Sequence, residues 1–521
     1  MTEWNDGYVS DIAYSGAVYR EQMPAHLDVA CLAAGAAPPV EPGAAFSYCE
    51  LGCGLGDTAM SVAAAYPDAR VWGFDFNPAH IADGAHRAAR AGLDNLVLAE
   101  HAFEELASGA VALPPFDYVT MHGVWSWVSA ANKAHIVAFL RRYLRPGGLF
   151  CITYNAMPGW APMVPLQHLL LNAGRAVGGT SDRRIGEAVG LARRVLDMGS
   201  PSIPAATLEG VERALKAGQV PYLSHEYLNE HWQPAFFADV AAALAPAKLS
   251  YVASANILEN FPALCMTPEQ RAFVDRLSPE LRQTVADYFC PRSFRRDIFV
   301  RGPRRPPARA YDARLAAQGL ALGLPAGAVR LTLDVPVGQA TLSAPFYGPV
   351  LERLKRGNAT VGQLVAAADP ETVPALNEIA AMLVGGRQVL PAIREAGPAE
   401  LERVRRYNRA QAEITCEAGQ PGGWLVGANI GTVIRVGVLE LLAYEAILDA
   451  EAATGAPATE ADAPAVRDRI RTLLDVRRIA LRQRPGGEPE KAAEAEPLDL
   501  DAELPEILTE FLPVWRRLGV L

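Results

Sequence analysis

The stretch Tyr48-Cys-Glu-Leu-Gly-Cys-Gly-Leu-Gly-Asp-Thr-Ala59 constrains this chain more than any other. An apolar, strand-like lead-in, Phe46 to Cys49, runs into the glycines Gly52, Gly54 and Gly56, and Thr58 through Ala65 has the pattern of a helix. Glycine lets the backbone turn tightly and come close to a ligand, and the helix N-terminus that follows offers unpaired N–H groups. A strand, a glycine turn and a helix in that order suit a nucleotide-type ligand. A second short apolar strand, Val71-Trp-Gly-Phe-Asp75, ends in an acid 19 residues beyond Gly56. An acid at that strand tip can accept hydrogen bonds from both ribose hydroxyls of an adenosine group.

The alternation then becomes regular. Strands are predicted at 46–51, 70–75, 95–99, 116–121 and 149–154, with helices at 57–65, 78–91 and 132–144. Arg145-Pro-Gly-Gly148 stops the last of these helices and turns into the fifth strand. Such alternation implies a parallel sheet with helices on both faces. Residues 161–219 repeat apolar positions at three and four and are predicted helical. A helix at 234–244, a strand at 249–255 and a strand at Phe294 to Arg301 follow.

Glu50-Leu-Gly-Cys-Gly-Leu-Gly56 followed by Gly73-Phe-Asp75 resembles motifs I and II of the class I S-adenosylmethionine-dependent methyltransferases. The turn lacks the glycine spacing of a dinucleotide fingerprint, and nothing suggests a second mononucleotide half. Further stretches narrow the resemblance: His122-Gly-Val-Trp-Ser-Trp-Val128, Tyr154-Asn-Ala-Met-Pro-Gly-Trp160, Glu226-Tyr-Leu-Asn-Glu230 and Trp232-Gln-Pro-Ala-Phe-Phe-Ala-Asp239. They are similar to bacterial methyltransferases that carry a methyltransferase regulatory domain, among them the rickettsial protein-lysine methyltransferases of outer-membrane proteins. The likeness spans residues 8–302 and extends more weakly to Tyr407-Asn-Arg-Ala410 and Gly427 to Leu441.

The resemblance implies a Rossmann-like seven-stranded α/β sheet with a helical insertion, plus a mostly helical, partly winged-helix-like C-terminal region. The expected organisation is a cofactor-binding core over 1–160, then 161–302 with a helical insertion (161–233) and a segment supplying strands six and seven. A winged-helix-like unit over 303–398, after the linker Pro303 to Pro307, and a helical region over 399–521 complete it. The second helix of that unit, Val361 to Ala368, carries no basic residue, so an interaction or dimerisation role is expected rather than DNA reading. Arg484 to Leu500, rich in Pro, Gly, Ala and Glu, is expected to be a flexible loop.

The implied cofactor is S-adenosylmethionine, with S-adenosylhomocysteine as product. The expected cofactor-binding residues are Glu50, Gly52, Gly54, Gly56, Asp75, Phe76, Ala102, Phe103, His122, Tyr19 and Gln22. Tyr8, Tyr14 and Tyr19 precede the first strand and either cover the cofactor or form a hydrophobic arm on the core. Tyr154, His122 and Trp125 are the catalytic candidates: aromatic rings near a sulfonium stabilise its charge, and His122 or Tyr154 would take a proton or orient an amine. His122 serves equally well as a cofactor-side contact. The expected acceptor is a protein lysine. The alternatives are a small-molecule N- or O-acceptor under a helical lid, and a non-catalytic cofactor-binding scaffold.

Composition excludes other classes. At 521 residues the chain exceeds what one core holds. No run of about 18 uncharged apolar residues appears, and the start, Met-Thr-Glu-Trp-Asn-Asp, is acidic, so a cytoplasmic protein is expected. A net charge of −10 speaks against nucleic acid as partner, and the arginine-rich stretch 292–309 fits a solvated strand edge followed by a linker. The seven scattered cysteines form no C-x-x-C pair, and His225 and His231 do not form a metal site, so no metal is expected.

Overall fold

The computed structural model describes residues 6–9, 11–12, 16–290, 292–335, 337–481 and 498–521. Tyr14 and nearly all of the loop expected at Arg484 to Leu500 lie outside them.

The chain enters through a one-turn helix, Arg20–Gln22, and α1 (Pro24–Ala33). It then winds β1 (Ser47–Leu51), α2 (Asp57–Ala65), β2 (Arg70–Asp75), α3 (Pro78–Arg90), β3 (Leu96–Glu100), α4 (Phe103–Ser108), β4 (Phe116–Met121), α5 (Ala130–Tyr143) and β5 (Leu144–Asn155). Four helices interrupt the sheet: α6 (Val164–Val177), α7 (Ser181–Asp197), α8 (Ala205–Lys216) and α9 (Val220–Tyr227). After α10 (Phe237–Leu244) come β6 (Leu249–Ser254), α11 (Pro268–Val274), α12 (Pro279–Phe289) and β7 (Phe294–Arg301). The seven strands lie in the order β3-β2-β1-β4-β5-β7-β6. The first five are mutually parallel, and β7 runs antiparallel to both β5 and β6.

Side chains alternate across this sheet as strand geometry requires. Along β5, Phe150, Ile152 and Tyr154 face a core closed by α5 and α10 through Phe139, Leu140, Phe237 and Val240. Leu149 and Cys151 face the opposite core, shared with α1 and α2. That second face is also covered by the C-terminal half, which contributes Leu320, Phe346, Val404 and Val433.

This half holds α13 (Ala308–Ala317), β8 (Gly319–Leu322), β9 (Thr332–Val335), β10 (Gly338–Thr341), α14 (Ala344–Lys355), β11 (Ala359–Thr360), α15 (Val361–Ala366), α16 (Leu376–Gly385) and β12 (Val389–Ala392). Then follow α17 (Pro398–Glu417), β13 (Gly422–Gly427), β14 (Thr432–Gly437), α18 (Val438–Thr454), α19 (Ala463–Arg477), α20 (Leu500–Glu506) and α21 (Leu512–Leu518). The α17 helix locks the half to the sheet: Tyr407 Oη lies 2.9 Å from Ser61 Oγ on α2, and Arg406 Nε donates to the Ala91 carbonyl at 3.0 Å.

Two expectations are corrected here. The region expected to be helical, 399–521, is mostly so but not wholly, because Gly422–Gly427 and Thr432–Gly437 pair as a β-hairpin. Their glycine-bounded, β-branched runs are too short to show against the helices on either side. The arginine-rich stretch is not a solvated strand edge: β7 is internal, flanked by β5 and β6, and Arg295 is only 2% exposed. Its guanidinium is held by Asp287 at 2.7 Å and Asp297 at 2.8 Å and lies over the Phe237 ring. Among the described residues no helix is long and apolar enough to cross a membrane.

Candidate functional site

The carboxyl ends of β1 to β5 open on one edge, where ligands bind in open α/β sheets. The turn after β1 needs its glycines. Gly52, Gly54 and Gly56 have φ of +67°, +55° and +79°, the left-handed region that other residues rarely adopt. A Cβ on Gly52 would lie 2.5 Å from Val124 Cγ2, whereas one on Gly54 would meet nothing within 4 Å. The turn is packed at its root and open at its crest.

Asp75 braces that crest. Its carboxylate accepts the Gly54 N–H at 2.9 Å and the Asn77 N–H at 2.9 Å, so the turn and the tip of β2 form one unit. Glu50 is buried beneath, accepting the Ala59 N–H of α2 at 3.0 Å, and burial pushes its carboxyl up to about 8. It serves as an internal helix cap. At the β3 tip the Ala102 N–H donates to Glu105 Oε2 at 3.0 Å, and Phe103 is half-buried beside it.

The N-terminal arm crosses over this edge. A Cβ on Gly16 would lie 2.4 Å from Asp57 Oδ2, and the Tyr19 N–H reaches Thr58 Oγ1 at 3.4 Å. The Tyr19 ring stacks on His122 at the β4 tip, with centroids 3.3 Å apart and planes 15° apart. Tyr8 makes an edge contact with Phe76 (5.9 Å) and lies 5.4 Å from His225 on α9. The arm therefore joins the β2 and β4 tips to the helical insertion.

His122 is half-buried, desolvation drives its imidazole down to about 3, and its Nδ1 has no partner within the described residues. A neutral ring of such low basicity makes a contact or a stacking surface, not a base. Gln22 is fully buried, and neither amide atom has a partner among the described residues. Orphaned polar atoms at Gln22 and His122, an open glycine crest and a carboxylate at the β2 tip supply the acceptors and donors that an amino-acid-bearing nucleoside needs. The residues present fit S-adenosylmethionine. Among the described residues no group of three or more His, Cys, Asp or Glu converges to hold a metal ion.

Two catalytic candidates face elsewhere. Tyr154 is fully buried, and its hydroxyl donates to Asp297 Oδ2 at 2.6 Å inside the Arg295 network. Burial raises its phenol well above the usual range. The expectation of a base at Tyr154 is thus corrected: strand alternation sends its side chain to the far side of β5. Trp125 is likewise 2% exposed, packed in the core with Leu51, Phe74 and Met121, with Lys133 Nζ 5.6 Å from its ring centroid. It supports the wall instead of lining the cleft.

Sequence reasoning missed the neighbour of Tyr154. Asn155 ends β5; its N–H donates to Ser126 Oγ at 2.8 Å and its Nδ2 to Glu226 Oε1 at 3.0 Å. Burial pushes Glu226 up to about 7. The sequence signal was that both residues fall in the family-like stretches Tyr154 to Trp160 and Glu226 to Glu230.

The strand order with one antiparallel member, the glycine turn and the braced acid define a class I methyltransferase. Residues 49–150 match the family described as a methyltransferase domain, and residues 219–301 match that described as a predicted methyltransferase regulatory domain. An uncharacterized protein of Synechocystis sp. is 31% identical over 449 residues, covering 84% of this chain and 87% of its own. An uncharacterized protein of Rickettsia prowazekii is 28% identical over 255 residues, 47% of this chain and 44% of its own. PKMT2 from Rickettsia typhi, solved in complex with AdoHcy, shares the fold at a TM-score of 0.65 and 16% identity, covering 98% of this chain and 99% of that one. The chain belongs to the class I S-adenosylmethionine-dependent methyltransferases that carry this regulatory domain. The regulatory match coincides with α9, α10, β6, α11, α12 and β7, so it completes the sheet and one wall of the cleft.

Proposed function

We propose that this enzyme methylates lysine side chains of a protein acceptor. The observation that carries the reading is the buried Asn155–Glu226 pair at the β5 tip, beside the cofactor edge. A lysine ammonium must be bound as a cation and then lose a proton before it can attack. A carboxyl that titrates near neutrality, oriented by an amide, serves both needs. The full-length fold shared with PKMT2 from Rickettsia typhi supports the same acceptor class.

In this reading the glycine turn and Asp75 hold the nucleoside, with Phe76, Ala102 and Phe103 along the base. Tyr19, Gln22 and His122 hold the amino-acid end. Bound there, S-adenosylmethionine supplies a methyl group already activated by its sulfonium charge, so transfer depends mainly on proximity and alignment. The arm and α9 exclude water from the acceptor amine, and Glu226 receives its proton. Residues 161–233 act as the cover that selects the acceptor, and the units at 303–398 and 399–521 brace the catalytic sheet and offer surface for a partner.

Radiolabelled S-adenosylmethionine added to a fractionated lysate tests this. Label in protein bands, lost when lysines are blocked beforehand, is the expected result. Label confined to the small-molecule pool would overturn the acceptor, and no label in either pool would overturn catalysis.

A further inference from the structure

A cavity of about 420 Å³ lies beside the catalytic edge, between the Arg20–Gln22 turn, the β6 tip, the start of β7, the end of α16 and the first half of β14. Four arginines line it: Arg20, Arg296, Arg387 and Arg435. The titratable groups facing them are Glu21 and His26. His26 Nε2 lies 2.6 Å from the Ala255 carbonyl, and burial takes its imidazole down to about 4, so it is uncharged at neutral pH. Glu21 is committed to Arg296 at 2.9 Å. Arg20, Arg387 and Arg435 form no salt bridge among the described residues; burial lowers the pKa of Arg20, the neighbouring Glu21 partly offsets this, and like-charge repulsion from Arg387 and Arg435 adds to it. Arg387 also holds a φ of +61°, unusual for a side-chain-bearing residue.

Four guanidinium groups converge on one recess whose single lining carboxylate is Glu21, which leaves the recess electropositive in a chain of net charge −10 and suited to an anion. Guanidinium forks suit adjacent oxyanions, and the volume falls in the range of small-ligand pockets, about 300–1,000 Å³. We propose that this cavity is a second ligand site, for a small molecule bearing two or more adjacent anionic groups of the phosphate or carboxylate kind, held by Arg20, Arg387 and Arg435. Such a ligand ties the Arg20–Gln22 turn, which carries the Tyr19 stack and the buried Gln22, to the C-terminal half. The site is independent of the acceptor proposed above, because its binding is read without methyl transfer.

The test is calorimetry on the full chain saturated with S-adenosylhomocysteine, titrated with sodium pyrophosphate or with citrate against sodium chloride of equal ionic strength. Saturable binding of at least one of the two anions is expected, and whichever binds tighter identifies the phosphate or the carboxylate source. The exposed pair Arg387→Ser/Arg435→Ser should weaken it about tenfold or more. Glu21→Gln, which removes the competing carboxylate, should tighten it about threefold, a direction that misfolding does not mimic. No saturable heat above chloride, or equal affinity in the wild type and both variants, would overturn the site.

Discussion

The two halves of the catalytic edge are assembled in different ways. The β1–β3 half draws everything from residues 50–103: a turn, an acid and two strand tips, joined by backbone hydrogen bonds from Gly54 and Asn77 to Asp75. The β4–β5 half gathers residues 8–22, 122–127, 154–155 and 225–226, and its bonds run between side chains far apart in sequence, as from Asn155 to Glu226. On the proposed lysine acceptor, the difference follows from what each half must do. A nucleoside is held by backbone geometry that local sequence can write. A reacting amine needs a dry, polarised spot, which only segments from several places can enclose.

The sharpest way to break this comparison is Asp75→Ala. It leaves the Gly54 and Asn77 N–H groups without their acceptor and removes the carboxylate at the ribose position. Unmet buried donors cost about 1–3 kcal/mol each, so the Kd for S-adenosylhomocysteine should rise about 100-fold or more by calorimetry. An unchanged Kd would mean that the first half does not bind the nucleoside.

The second half is sharpened by Glu226→Gln. Turnover should fall about 30-fold while S-adenosylhomocysteine affinity stays within about threefold. With its carboxyl near 7, Glu226 is neutral below that pH and ionised above it, so kcat in the wild type should rise through pH 7. The variant should lose that limb. The stability effect has the opposite sign. A carboxyl raised from its ordinary 4.5 stabilises the fold only while protonated, and this contribution is lost as pH climbs through about 7. The variant should therefore melt no lower than wild type at pH 8. A lower Tm with an unchanged pH profile would reduce Glu226 to a structural residue.

Legibility in the sequence divides along the same line. The glycine turn and Asp75 were readable because positive φ demands glycine and a strand tip needs its acid, both within thirty residues. The helices and first five strands were readable from their periods. The antiparallel β7 was not, since pairing direction leaves no mark in an eight-residue run such as Phe294 to Arg301. Nor was the face of β5: a run of buried residues hides the alternation, so Tyr154 and Asn155 look alike until their partners are known. Glu226 was legible as part of a family stretch but not as a chemical group, because its partner Asn155 lies 71 residues away in the chain.

The arm that joins the halves can be loosened at one point. Tyr19→Ala removes the ring stacked 3.3 Å from His122. Such contacts are worth about 0.5–1.5 kcal/mol, so S-adenosylhomocysteine affinity should drop about two- to tenfold, with Tyr19→Phe restoring it. Failure of Phe to restore it would show that the hydroxyl, not the ring, is what matters.

The smallest effect on catalysis is expected where the sequence first pointed to the chemistry. Tyr154→Phe keeps the ring in the core with Phe150 and Ile152 and deletes one hydroxyl, leaving Asp297 short of a donor at 2.6 Å. Asp297 retains Arg295, so the loss is one charge-assisted hydrogen bond, about 1–3 kcal/mol of stability by urea unfolding. Turnover and S-adenosylhomocysteine affinity should both stay within about threefold at a temperature where the variant is folded, because the deleted oxygen lies on the opposite side of β5 from the cleft. A larger fall in kcat without loss of stability would place that hydroxyl in the reaction after all. It would also mean that the two faces of β5, a structural one at Tyr154 and a functional one at Asn155, had been assigned the wrong way round.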